Sequence, residues 1–326
     1  MRRVTYLALA VVLAAGLAAC NGVRCDKKQT AAVVVPTFNA DSAYAFVQAQ
    51  VDFGPRVPET APHAACANFL TNTLQRFGAQ VAVQQGKMNI YTGETKALKN
   101  IIGQFNADAK RRVLLCAHWD SRPFADHDAN PANRHTPILG ANDGASGVGV
   151  LLEVARQVAH SAPAVGIDIV FFDLEDWGAP EFYTGDERPD DWCLGSQYWA
   201  AESKKNGYRA DYGILLDMVG APGATFYREQ FSTYFAGAVV DDVWRKAQAA
   251  GFGACFVDMR GGAITDDHYY INTVAGIPCI DIIQYNPYGD TGFADYWHTT
   301  ADDMRHIDRR TLYAVGQTLL QTIYSE

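Results

Sequence analysis

Four short runs constrain this chain more than any other feature: RRVLLCAH ending at His118, GIDIVFFDLE ending at Glu175, DYGILLDMVG around Asp217, and GIPCIDII ending at Ile283. Each is apolar over most of its length rather than on alternate residues, which is the pattern of a strand covered on both faces. Between and after them lie segments with helical spacing of apolar residues: GVGVLLEVARQVAH, LGSQYWAAESKK, STYFAGAVVDDVWRKAQAAG and RRTLYAVGQTLLQTIY. Two further helices are expected in DSAYAFVQAQVDFG and APHAACANFLTNTLQRFG, the second stopped by Gly78, and two strand-like runs in AQVAVQQ and LKNIIGQF. Strands alternating with helices predict an α/β fold, with a mostly parallel central sheet flanked by helices on both faces.

The first twenty residues, MRRVTYLALAVVLAAGLAAC, do not belong to that domain. A basic start, a short apolar stretch and small residues before Cys20 read as an export signal. The ending LAAC resembles the bacterial lipobox, in which Cys20 is lipidated; a simple cleaved signal with Cys20 an ordinary thiol is the alternative. The expected organisation is a signal over 1–20, a flexible tether over 21–40 and one catalytic domain over 41–326. That places the protein outside the cytoplasm, lipid-anchored to a membrane and facing a bacterial periplasm. The formal net charge of −9 makes nucleic acid and anionic membrane surfaces poor partners. The six cysteines after Cys20 permit disulfides in an exported chain, but they form no CxxC pattern, and Cys116 and Cys279 sit in apolar runs.

Acids and histidines gather where the buried runs stop. LLCAHWD offers His118 and Asp120, ILGANDG offers Asp143, FFDLED offers Glu175 and Asp176, and ILLDMVG offers Asp217. ITDDHYY adds Asp266, Asp267 and His268, and YWHTTADD adds His298. If the strands are parallel, these segments reach one edge of the sheet, where open α/β sheets bind ligands. Singly, each has a plainer reading: Asp143 as a helix N-cap, Asp217 as a turn former, His298 as an ordinary histidine. Jointly, carboxylates with imidazole and no thiol cluster suit a catalytic zinc. GASGVGVLL lacks the third glycine of a dinucleotide loop, and neither GxSxG nor HExxH occurs.

AHWDS, GANDGASGVGVLLEVAR, FFDLEDWG, LGSQYWA, LLDMVG, TDDHYYINTVAGIPCIDII and YWHTTADDM resemble, in the same order, the glutaminyl-peptide cyclotransferases built on the zinc-aminopeptidase fold. The likeness runs from about residue 50 to the last helix and looks most like the bacterial, membrane-associated branch. It implies one zinc per chain, held by Asp143, Asp176 and His298. It further implies Glu175 as general acid and base, Asp217 and Asp266 hydrogen-bonded to each other beside it, and Trp297 against the substrate. The substrates implied are peptides and proteins with N-terminal glutamine, which cyclises to pyroglutamate as ammonia leaves. The broader fold family includes dinuclear zinc aminopeptidases, in which His118 and Asp217 would join the ligand set. In the one-zinc reading, His118 stands with Asp120 behind the ligands. A non-enzymatic surface lipoprotein is a third class, and the filled set of catalytic residue types argues against it.

Overall fold

The computed structural model describes residues 34–326 apart from Glu187 and Pro189. The leader, Cys20, Cys25 and the tether as far as residue 33 lie outside the described residues. The chain opens with α1 (Ala40–Val51) and α2 (Ala61–Arg76), then β1 (Gln80–Asn89), β2 (Thr95–Phe105) and β3 (Arg112–His118). There follow α3 (Ala145–His160), β4 (Gly166–Phe172), α4 (Leu194–Lys205), β5 (Tyr212–Asp217), β6 (Phe226–Arg228) and α5 (Gln230–Ala249). The chain closes with β7 (Phe256–Arg260), the short α6 (Asp267–Tyr270), β8 (Cys279–Ile283) and α7 (Arg309–Ile323).

Six strands form one sheet in the order β1-β2-β4-β3-β5-β8. β4, β3, β5 and β8 run parallel, while β2 is antiparallel to both β1 and β4. The unbroken apolar runs have a direct cause in this arrangement. Val113, Leu115 and Ala117 of β3 pack into the core shared with α1, α2, α3, α5 and α7. Leu114 and Cys116 point the other way, into a second core with Trp199 and Ala200 of α4 and with Ile271. Each fully buried aliphatic side chain contributes roughly 1.5–3 kcal/mol relative to exposure. β1, the sheet edge, is only partly covered and reads as polar.

One boundary differs from the sequence reading. Residues 34–40 do not behave as tether: Phe38 is buried, and its ring lies where a side chain on Gly316 of α7 would stand. The Phe38 N–H donates to Gln317 Oε1 at 2.9 Å, and Gln317 Nε2 donates back to the Pro36 carbonyl at 3.2 Å. The folded body therefore starts ahead of residue 41. The small β6–β7 pair and the π-helical turn Ile271–Ala275 have no counterpart in the sequence reading. Among the described residues all five cysteines are free thiols.

Candidate active site

Parallel β3, β4, β5 and β8 bring their carboxyl ends to one edge, and the turns there are shaped for close approach. His118 ends β3 and Asp217 ends β5. Leu174, Cys193, Met218 and His298 all take left-handed backbone conformations, a strain of order 1–3 kcal/mol each that collects at functional sites. Gly144 has φ +142, and a Cβ there would lie 2.6 Å from the His118 ring. Gly147 touches the Leu216 carbonyl so closely that an added Cβ would stand 2.4 Å from it, which lets α3 start against β5.

The acids of DLED divide between core and cavity. Asp173 turns inward to His63 Nε2, at 2.9 Å, and to the N–H groups of Lys99 and Leu174. Glu175 and Asp176 both have their N–H groups bound by Asp120, at 3.2 and 3.3 Å. Asp302 does the same for the opposite wall, accepting from Asn142 N at 2.8 Å and Asp143 N at 3.1 Å.

Asp143, Asp176 and His298 converge. His298 Nε2 lies 3.3 Å from Asp176 Oδ1 and 3.6 Å from Asp143 Oδ2. Burial first, and then the charge of Arg122, hold the His298 imidazole well below its ordinary range, so it presents a neutral nitrogen lone pair. Asp176 Oδ2 is buried with no hydrogen-bond donor, and burial together with Asp143 pushes that carboxyl well above the usual range. Two crowded carboxylates, one oxygen unsatisfied and a neutral imidazole make a donor set that fits a zinc ion. Arg122 steadies it from behind, bonding Asp126 through Nε and Nη2 at 2.7 and 2.6 Å and Asp176 Oδ1 through Nη1 at 3.3 Å. Its guanidinium lies over Trp192, which stacks on His298.

His118 spans the neighbouring position. Its Nε2 lies 3.0 Å from Asp143 Oδ1 and 3.1 Å from Asp217 Oδ1, and its Nδ1 faces Asp120 at 3.5 Å. Burial lowers its proton affinity, but Asp120, Asp143 and Asp217 override that and raise it well above the imidazole range. Burial pushes Asp217 up to about 7, against the pull of His118. Glu175 takes a hydrogen bond from the Cys193 thiol at 3.1 Å, and its carboxyl is raised well above the ordinary range by burial.

A cavity of about 270 Å³ connects these groups, lined by Glu175, Asp266, Trp297 and His298 among others. Trp297 lies against the His298 ring, with 3.6 Å between centroids. Asp266 faces the cavity while Asp267 is buried behind it. The expected Asp217 to Asp266 hydrogen bond is not formed: Asp217 is taken by His118, and a buried acid close to Asp266 is Asp281 of β8. Sequence reasoning missed Arg122, Cys193, Asp281 and Asp302. A polar residue in the middle of the buried run CIDII was the one available signal for Asp281. A larger cavity, of about 540 Å³, contains none of these acids.

A mostly parallel sheet with this carboxylate and imidazole edge defines the zinc-dependent exopeptidase class of α/β protein. The chain belongs to peptidase family M28, whose model matches residues 100–323. The glutaminyl-peptide cyclotransferase of Bos taurus is 24% identical over 303 residues, 81% of this chain and 76% of that protein. The solved glutaminyl cyclase of Tannerella forsythia is 55% identical, with 89% of this chain and 100% of that chain covered and a TM-score of 0.87. A solved Zn-dependent exopeptidase of Parabacteroides distasonis is also 55% identical, covering 90% and 100%, with a TM-score of 0.88.

Proposed function

We propose that this protein is a zinc-dependent glutaminyl-peptide cyclotransferase that holds one zinc ion and closes N-terminal glutamine to pyroglutamate. The observation that supports both the chemistry and the one-zinc reading is the similarity to solved glutaminyl cyclases. His118 Nε2 sits between Asp143 and Asp217, a group that could itself take a second ion, so zinc content separates the two readings.

Zinc bound by Asp143, Asp176 and His298 supplies Lewis-acid polarisation of the glutamine γ-carbonyl. The protein's own residues do the rest. Trp297, Trp192 and Phe293 wall a cavity just below the roughly 300–1,000 Å³ of ligand pockets, which suits one terminal residue. Folding the glutamine there brings its α-amine against the carbonyl carbon (Cδ) of its own side-chain amide, an intramolecular geometry that removes much of the entropic barrier. Glu175 takes the proton from the attacking amine. As the bond from that Cδ to the amide nitrogen breaks, Glu175 returns the proton to the nitrogen, which leaves as ammonia. Asp266 lies beside Glu175 and shares in holding the amine.

The experiment is a paired assay of glutaminyl and leucyl model substrates on protein of measured zinc content. Pyroglutamyl product, ammonia and about one zinc per chain are expected. Release of free leucine by a protein holding two zincs would favour the dinuclear aminopeptidase reading instead. The leader sequence supports an exported protein anchored through lipidated Cys20; Cys20→Ala is expected to release it from the membrane fraction.

A further inference from the structure

Behind the Glu175 and Asp266 side of the cavity lies a second group of acids that the reaction above does not use. Asp281, in mid β8, and His268 are fully buried, and Glu229 is almost so. Four donors meet the Glu229 carboxylate: Phe231 N at 2.8 Å, Ser232 N at 2.5 Å, Ile264 N at 3.1 Å and His268 Nε2 at 3.1 Å. Its charge is therefore satisfied, and it claims His268. Asp281 has nothing comparable. Among the described residues no N–H or hydroxyl donates to either of its oxygens, and the nearest nitrogen of His268 is 3.8 Å away.

A bare carboxylate in a dry core costs several kcal/mol, whereas a protonated carboxyl needs only one acceptor. Asp266 offers that acceptor. One of its oxygens, Oδ1, accepts from Asp267 N at 2.5 Å; the other, Oδ2, has no N–H donor, and the two carboxyl groups face each other with oxygens within 4.8 Å. Two carboxyls can share a hydrogen bond only if one carries the proton. The groups that face Asp281 are Asp266, His268, Glu229 and Asp217, and only His268 is a potential cation among them.

We propose that Asp281 is a protonated acid whose O–H donates to Asp266, keeping Asp266 ionised and turned toward Glu175. Burial, and then Asp266, Asp217 and Glu229, push the Asp281 carboxyl well above the ordinary carboxylate range. Asp281 is thus a positioning residue: it never meets the substrate, and it fixes the charge and orientation of the acid that does. The role in turnover rests on the cyclase reading above, but the protonation state does not. The competing account is a cation between Asp266, His268 and Asp281, whose donor atoms lie within 4.8 Å of one another.

The test compares zinc-loaded wild type, Asp281→Asn and Asp281→Ala by infrared difference spectroscopy, metal analysis and kinetics on a glutaminyl amide. A protonated-carboxyl C=O stretch that shifts in D2O is expected in wild type and absent from Asp281→Asn. The amide keeps an N–H donor, so Asp281→Asn is expected to retain kcat within about threefold. Asp281→Ala leaves Asp266 without its donor and is expected to lose about ten- to hundredfold in kcat, with KM moved less. Metal content is expected to be equal in all three. The proposal fails if no carboxyl band distinguishes Asp281→Asn, if both variants are equally impaired, or if Asp281→Asn loses a metal ion. Wild type that turns over no glutaminyl substrate would overturn the cyclase reading alone, since the infrared band still decides the protonation state.

Discussion

One carboxylate, Asp120, holds the backbone of both Glu175 and Asp176, an oxygen to each N–H. The acid expected to move the proton and the acid expected to hold the metal are thereby fixed by a single side chain. Asp120→Asn turns one of those oxygens into an N–H2 group facing a backbone N–H. Zinc affinity is expected to fall about 10–100-fold, the usual cost of disturbing groups that orient ligands, and kcat to fall with it. Titration with a competing chelator alongside steady-state kinetics checks both; a loss in only one of them would show that Asp120 serves only one acid.

Glu175 and Asp176 are adjacent yet differently placed, one toward Cys193 and the cavity and the other toward His298 and Arg122. Glu175→Gln is expected to keep its zinc and lose about 10²–10⁴ in kcat. Asp176→Ala is expected to lose zinc and activity together. Equal metal loss in the two variants would reverse the assignment.

The Cys193 thiol is the donor to Glu175 Oε1, and burial pushes that thiol well above its ordinary range. Cys193→Ser keeps an O–H donor and is expected to stay within about threefold of wild type in kcat. Cys193→Ala removes a bond of about 0.5–1.5 kcal/mol and is expected to cost up to about tenfold. In the folded protein the wild-type thiol should resist a disulfide reagent, and unfolding should expose it; rapid native labelling would contradict the burial.

Glu229 caps α5 and holds the loop at Ile264. Although burial raises its carboxyl, His268 and the Ser232 and Phe231 N–H groups lower it from 4.5 to about 2. A depressed carboxylate stabilises the folded state above its unfolded pKa, and that contribution fades as pH falls from about 4.5 towards 2. The size is about 3 kcal/mol as an upper limit. Denaturant unfolding of metal-free wild type and Glu229→Gln should show stabilities that converge across that window, and a constant difference would refute the linkage.

The sheet and most of its edge were legible because parallel strands have a simple grammar: a doubly buried strand is apolar throughout, so a His or Asp that stops the run marks the carboxyl edge. His118, Asp217, Glu175 and Asp176 were readable on that ground. Arg122 and Asp302 lie in irregular loops, where no periodicity reports burial, and only the folded chain reveals what they hold. Asp281 interrupts a buried strand, but one polar residue there can equally mark a half-exposed face. The pairing of Asp217 with His118 depends on register across separate strands, and the approach of Asp266 to Asp281 on how the start of α6 packs against β8; no local pattern encodes either.

The seat of Phe38 on Gly316 has a mechanical side. Any pull on the chain ahead of Val34 meets that plug and the Gln317 clasp before it meets anything else, and passes next to α1 and to α3 through the Asn39 N–H to Glu153 bond. A tug at the front of the protein would be met first by α7, α1 and α3, ahead of the separate loops that hold Glu175 and His298.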